Sequence, residues 1–172
     1  MRCLLICLCF CLTACQPALN WRELGLEGTE LKVQLPCKPD RTSRQVRMGA
    51  DDVQLNVAGC EAQGAVWAVM TGQVSAQADR QALLQGWRQA TLANMRSSAQ
   101  QEMAWAPKRG NALTTLRLVA QGTGPDNKPV TAQAVWLAYV EGSALRWLHA
   151  VVYQDRADAQ AADLFFESIA LP

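Results

Sequence analysis

The stretch that decides the fold is Val130–Tyr153, VTAQAVWLAYVEGSALRWLHAVVY. Its two halves, Val130–Val140 and Ala144–Tyr153, are apolar at both alternating positions, a pattern typical of strands that are covered on both faces. Between them, Glu141-Gly142 predicts a tight hairpin. The stretch therefore predicts two antiparallel strands in the middle of a sheet with protein packed on either side.

The rest of the chain supplies further strands and two helices. A helical spacing of apolar residues predicts one long central helix from Ser75, as its N-cap, to about Arg96. Gly86 inside it predicts a close approach by a neighbouring element. A C-terminal helix is expected after Asp155. Alternation and apolar runs predict strands at Glu30–Leu35, Arg44–Met48, Val53–Val57, Ala65–Val74, Glu102–Ala106 and Ala112–Ala120.

This order of elements is that of a single α+β domain. Together with the ending Phe165-Phe166-Glu167-Ser168-Ile169, it resembles the PsbP-like fold over residues 28–171. The resemblance implies a sandwich, in which an antiparallel β-sheet is packed by the central helix and the C-terminal helix. It also implies a small secreted or lipid-anchored accessory protein without catalysis. It transfers no functional residues, because the pattern of that fold defines none.

The first residues have the features of a secretory signal. Arg2 is followed by the apolar run Cys3–Leu12, within the length of about 7–15 residues expected for a signal peptide and shorter than a membrane-spanning helix. The tetrapeptide Leu12-Thr13-Ala14-Cys15 looks like a lipobox, the processing site of bacterial lipoproteins. An ordinary signal peptide cut near Ala14, with Cys15 incidental, is the alternative.

The lipobox implies a division of the chain and a location. We expect residues 1–14 to be the lipoprotein signal peptide, residues 15–27 a lipidated tether, and residues 28–172 the α+β domain. More than one acyl chain, such as palmitate, would anchor Cys15 stably in a membrane. Gln16, rather than Asp, follows that cysteine, which in lipoproteins of two-membrane bacteria implies the outer membrane, facing the periplasm.

Removal of the signal changes the cysteine count. Of the 7 cysteines, only Cys15, Cys37 and Cys60 remain, and lipid takes the first. The other two form an even pair in an oxidising compartment, so a disulfide bond is expected. A pair of metal-binding thiols is the alternative, but no CxxC spacing accompanies these cysteines.

The mature chain is electrically neutral. Because the signal contains Arg2, the 16 Lys and Arg residues fall to 15 and equal the 15 Asp and Glu. Neutrality argues against a nucleic-acid partner, which requires many uncompensated cations. A local basic cluster remains a possible binding surface for an anionic lipid or an acidic envelope protein, with a solvated face as the alternative. Its members are Lys32, Lys38, Arg41, Arg44 and Arg47, with Lys128 added from the long loop before Pro129.

No catalytic or metal-binding motif stands out. The single His149 shares strand parity with Trp147 and Val151, which favours a buried, hydrogen-bonded core histidine over a catalytic base. Asp51-Asp52 is more typical of a solvated turn than of a cation site. We therefore predict no catalytic residues, no metal and no cofactor.

These observations predict a lipid-anchored envelope protein with a non-catalytic binding or accessory role. Two alternatives remain open. One is an envelope enzyme whose site is assembled from scattered residues, which would require a concave pocket with converging acids or His149. The other is a structural envelope protein with a large apolar or charged face.

Overall fold

The computed structural model describes residues 19–48, 51–97 and 99–172, without the side chains of Asp51 and Ala99. The predicted signal peptide and the lipobox lie outside the described residues. Within the described part, the chain forms nine strands and two helices. In chain order they are β1 (Arg22–Gly25), β2 (Lys32–Leu35), β3 (Asp40–Met48), β4 (Asp51–Ala62), β5 (Ala65–Val74), α1 (Arg80–Asn94), β6 (Ala99–Met103), β7 (Thr114–Thr123), β8 (Pro129–Glu141), β9 (Ala144–Gln154) and α2 (Ala159–Glu167).

The main sheet has seven antiparallel strands in the order β3-β4-β5-β9-β8-β7-β6. The apolar pair β8 and β9 lies inside this sheet, as the sequence predicts. The two strands are joined by a hairpin at Gly142, whose φ of +59° suits a glycine. The predicted α+β domain with a mostly antiparallel sheet is therefore confirmed.

Each face of the main sheet carries its own apolar core. We call them the α1 face and the α2 face, after the helix that packs on each. On the α1 face, Leu84 of α1 packs with Leu118, Trp136 and Trp147 of the sheet. The α2 face packs Trp67, Val69, Leu137 and Leu148 against Phe165 and Phe166 of α2. Two buried faces explain why β8 and β9 carry apolar residues at both alternating positions.

The strands β1 and β2 form a separate antiparallel ribbon on the α2 face. The backbones of Lys32 and Ala170 exchange hydrogen bonds of 2.9 and 3.0 Å, and Gln34 N donates to Ser168 Oγ at 2.9 Å. The predicted tether, residues 15–27, includes β1, so any tether must end before Arg22. Trp21, just before β1, packs edge-on against Trp67 with ring centroids 5.6 Å apart.

The helix α1 is shorter than predicted and is not central. Asp79, rather than Ser75, is the N-cap, because its carboxylate accepts from Gln81 N and Ala82 N at 3.0 Å. The Ser75 hydroxyl instead bonds the Gln77 side chain at 2.8 Å. Over its 15 residues α1 packs mainly on β7 and β8, to one side of the sheet's middle.

The C-terminal helix also begins later than predicted. Asp158, not Asp155, caps α2 by accepting from Ala161 N at 3.0 Å. The same residue's carbonyl accepts from the buried Gln133 side chain of β8 at 3.0 Å. The helix start is therefore fixed by a contact with the sheet that no local sequence pattern reveals.

The disulfide bond between Cys37 and Cys60 is present, as predicted. Cys37 follows β2 and Cys60 lies within β4, so the bond ties the connection between the ribbon and β3 to the main sheet. The bond closes a loop between residues 23 positions apart. In the loop-entropy treatment, closing a loop of this length stabilises the fold by about 3.5 kcal/mol.

Candidate ligand-binding cleft

An open cleft lies between α1 and the β3–β5 side of the main sheet. Because α1 packs towards β7 and β8, it leaves this part of the α1 face uncovered. The cleft has a volume of about 690 Å³, within the range of about 300–1,000 Å³ typical of small-molecule sites. We call it the α1 cleft.

The sheet side of the α1 cleft is apolar. It comprises Val46 and Met48 of the edge strand β3 and Val74, the last residue of β5. These side chains share one face because Val46 pairs with Val53 in the register, and directly opposed residues of antiparallel strands point to the same side. The floor therefore continues the α1-face core up to the edge of the sheet.

The helix side of the α1 cleft is formed by small residues and one aromatic ring. Ala82, Gly86 and Ala90 recur at every fourth position and so share one flank of α1, beside Trp87. A Cβ added at Gly86 would meet no atom within 4 Å. The prediction that a neighbour approaches Gly86 closely is therefore wrong, since this glycine faces the open cleft.

Three charged side chains border the α1 cleft, and two of them already have partners. Asp79 caps α1, and Arg47 pairs with Asp52 at 3.3 Å. This pair is largely exposed, so its effect on stability is small. Arg44 is also exposed and makes no hydrogen bond or ion pair with any other described residue. It is thus the cation at the cleft that is available for a ligand.

The basic cluster predicted from the sequence does not form one surface. Arg44 pairs with Leu55 of the α1-face core, whereas Arg41 pairs with Ala58 of the α2-face core. Arg41 also donates to Gly25 O at 3.0 Å. The strand alternation thus separates these two arginines on opposite sides of the sheet.

The other predicted basic residues lie elsewhere. Lys32 is on the ribbon, 3.5 Å from Glu23, and Lys38 is exposed in the connection between β2 and β3. Lys128 is in the β7–β8 turn, where it contacts Asp126 at 3.0 Å. That turn is only Gly124–Lys128, shorter than the predicted loop, because both strands extend further.

Behind Trp87, an aromatic cluster fills the α1 face. Trp87 packs on Trp147 with centroids 4.5 Å apart, and His149 stacks on Trp136 at 4.6 Å. His149 is fully buried, and burial lowers its pKa to about 3, so it is neutral at pH 7. Its core position is as predicted. However, neither ring nitrogen has a hydrogen-bond partner in the described part of the chain.

A polar cluster that the sequence did not reveal joins the ribbon to the hairpin of β8 and β9. Glu141 accepts from Thr29 Oγ1, Glu30 N and Arg146 Nε, each at 2.7 Å. Burial alone would raise the pKa of Glu141, but these hydrogen bonds and the Arg146 charge outweigh it and lower the pKa. The Thr29 hydroxyl also contacts Tyr139 Oη at 2.9 Å. The cluster stabilises the fold and lies away from the α1 cleft.

Possible metal and catalytic groups do not converge at the α1 cleft. Asp52 is bound to Arg47, and the side chain of Asp51 is outside the description. Among the residues that the structure describes, no group of three His, Cys, Asp or Glu side chains is placed to hold a metal ion. His149 is not among the residues that line the cleft.

The chain has no significant match among protein-family models, curated proteins or solved structures. None of the helices in the described residues is long and apolar enough to cross a membrane.

Proposed function

We propose that this protein is a lipid-anchored envelope protein that binds an apolar ligand, without catalysis, in the α1 cleft. The observation that carries the proposal is the cleft itself. Its floor is apolar: Val46 is half-buried, and the buried Met48 and Val74 of the α1-face core line the cleft beside it. Apolar surface of this kind gains free energy when a ligand removes it from water.

A binding role suits the cleft better than catalysis. Asp79 is the acid that lines it, and both of its contacts with backbone N–H groups are used to cap α1. The neutral imidazole of His149 lies behind Trp87, at a centroid distance of 6.2 Å. A general acid or base must be within hydrogen-bond reach of a bound substrate; Oδ1 of Asp79 is taken up by the helix cap, and His149 is not among the lining residues.

The anchor we propose is lipid attached to Cys15, with the domain held at the outer membrane and facing the periplasm. The support is the lipobox sequence, and Cys37–Cys60 adds a disulfide bond suited to an oxidising compartment. Leu19 lies beside Gly64 and Ala65, where β5 begins, whereas Val74 at the end of β5 lines the cleft. The 10 residues of β5 span about 30 Å, so the Val74 end of the cleft lies about that far along the sheet from the start of β5, beside Leu19.

We also propose membership of the PsbP-like fold, which would account for an accessory role. A helix on either face of one antiparallel sheet supports this assignment. The off-centre position of α1 and the β1–β2 ribbon are features that the resemblance did not imply.

Two experiments test the proposal. For the anchor, native protein should partition into detergent from membranes, whereas residues 15–172 carrying Cys15→Ser, made without the signal peptide, should stay in the aqueous phase. For the cleft, the mature chain (residues 15–172) carrying Cys15→Ser is titrated with an uncharged apolar fluorescent dye.

The dye should bind at one site, and Gly86→Leu should abolish binding by filling the cleft, whereas Leu164→Ala, at an exposed position on α2, should leave it unchanged. Dye binding that survives Gly86→Leu would contradict the assignment of the cleft.

A further inference from the structure

We infer that the ligand of the α1 cleft is a free single-chain amphiphile with an anionic head group, such as a fatty carboxylate or an alkyl phosphate. The inference rests on the function proposed above and specifies its ligand class. We place the acyl chain along α1 and the head group at Arg44. Three properties of the cleft lead to this assignment: its length, the size of its side chains and its charge.

The length of the cleft matches one acyl chain. The lining residues of α1 extend from Asp79 to Asn94, about 22 Å along the helix axis. An extended acyl chain in one leaflet covers half of the hydrocarbon core, or about 15 Å. A chain of that length with its head group fits between the two ends of the lining.

The side chains leave a trough rather than a flat surface. Ala82, Gly86 and Ala90 form the helix wall, and all three are exposed to solvent. Half-buried Trp87 presents apolar surface beside them, and the buried Met48 lines the sheet side. The trough suits a thin, unbranched apolar chain. A protein partner would require about 800 Å² from each side for a standard interface, whereas the lining is confined to one flank of α1, the segment before it and the facing parts of β3 and β5.

The charge at the cleft selects the head group. Arg44 has no partner among the described residues, whereas Oδ1 of Asp79 already accepts from two backbone N–H groups at the N-terminus of α1. A guanidinium group forms two parallel hydrogen bonds with a carboxylate or phosphate. Arg44 is two residues from Val46 on the same side of β3, so an anion bound there lies at the margin of the apolar floor.

The test compares dodecanoate and dodecyl phosphate with dodecanol and dodecyltrimethylammonium, all below their micelle concentrations. The protein is the mature chain, residues 15–172, carrying Cys15→Ser and prepared without detergent, and binding is measured by calorimetry. The two anions should bind about tenfold more tightly than dodecanol, as expected for a charge-assisted hydrogen bond that is partly exposed. The cationic amphiphile should bind most weakly.

Variants locate the two parts of the ligand. Arg44→Gln should remove the preference for anions and leave dodecanol binding unchanged. Arg41→Gln is the matched control, because it removes the same charge from the same strand on the opposite face, and it should change neither. A fatty acid brominated at its far end should quench the fluorescence of Trp87, and Trp87→Phe should reduce this quenching.

The outcomes distinguish a failure of the inferred head group from a failure of the proposed binding site. Equal binding of dodecanol and dodecanoate would overturn the inference and leave an apolar ligand site standing. No binding of any amphiphile or of the uncharged dye would overturn both. If Arg44→Gln instead abolishes sedimentation with phosphatidylglycerol vesicles while monomeric dodecanoate does not bind, Arg44 contacts a membrane surface and the inference is wrong.

Discussion

Gly86 gives the sharpest prediction, because it reduces the stability of α1 and lines the cleft. Glycine in a helix interior is less favourable than alanine by about 0.8–1 kcal/mol. A Cβ at this position meets nothing within 4 Å, so Gly86→Ala gains helix stability without a clash. We expect the free energy of unfolding to rise by about 1 kcal/mol, which corresponds to a Tm increase of about 2–4 °C in a chain of this size.

Gly122→Ala is the matched control for this substitution. A Cβ at Gly122 would lie 2.9 Å from the Cβ of Met95 and still closer to its backbone oxygen. We therefore expect Gly122→Ala to destabilise the protein by about 1–3 kcal/mol. Thermal and urea unfolding followed by circular dichroism measures both variants. A loss of stability in Gly86→Ala would refute the open cleft, because it would mean that another element occupies the space beside α1.

Three further predictions concern stability. Glu141→Gln should destabilise the fold by about 1–3 kcal/mol, because it weakens bonds to Thr29, Glu30 and Arg146. The folded-state pKa of Glu141 is lowered from 4.5, so its contribution is present above that pH and is lost as the pH falls through the lowered value. Replacing Cys37 and Cys60 together by serine should cost about 3.5 kcal/mol in urea unfolding. His149 binds its proton in the unfolded chain near pH 6.5 but in the folded protein only near pH 3, so stability should fall by about 3 kcal/mol between pH 7.5 and pH 4.5.

Each of these predictions has a result that would contradict it. Equal acid sensitivity of Glu141→Gln and the unsubstituted protein below pH 4.5 would show that the ribbon does not depend on this carboxylate. Full stability after reduction would mean that the disulfide bond constrains nothing in the unfolded chain. For His149, replacement by phenylalanine should remove the pH dependence above pH 4.5, and an imidazole titration near pH 6.5 by NMR would exclude the buried, neutral ring.

Local patterns predicted the middle of the fold well. The run of apolar residues from Val130 to Tyr153 specifies two strands covered on both faces, and the apolar run Ala65–Val74 gives β5 with its observed bounds. The disulfide bond followed from counting cysteines outside the signal. In each case, the determining information is contained in neighbouring residues.

The missed features depend on contacts between distant parts of the chain. The strand β1 has only 4 residues and is stabilised by pairing with β2 on the α2 face. The cap of α2 is selected partly by Gln133, 25 residues away. The α1 cleft exists because α1 packs to one side of the sheet, and the spacing of apolar residues in a helix does not specify where on a sheet it sits. Gly86 was the one local signal, but it was interpreted as space for a neighbouring element, whereas the structure leaves that space open.

Hydrogen–deuterium exchange with and without dodecanoate tests the central claim most directly, because it reports which part of the backbone a ligand covers. The α1 cleft predicts slower exchange in α1 and at Arg44–Met48 of β3, with no change in α2. Protection confined to α2 or the ribbon, or no protection at saturating dodecanoate, would contradict the account of a ligand site between α1 and the edge of the sheet.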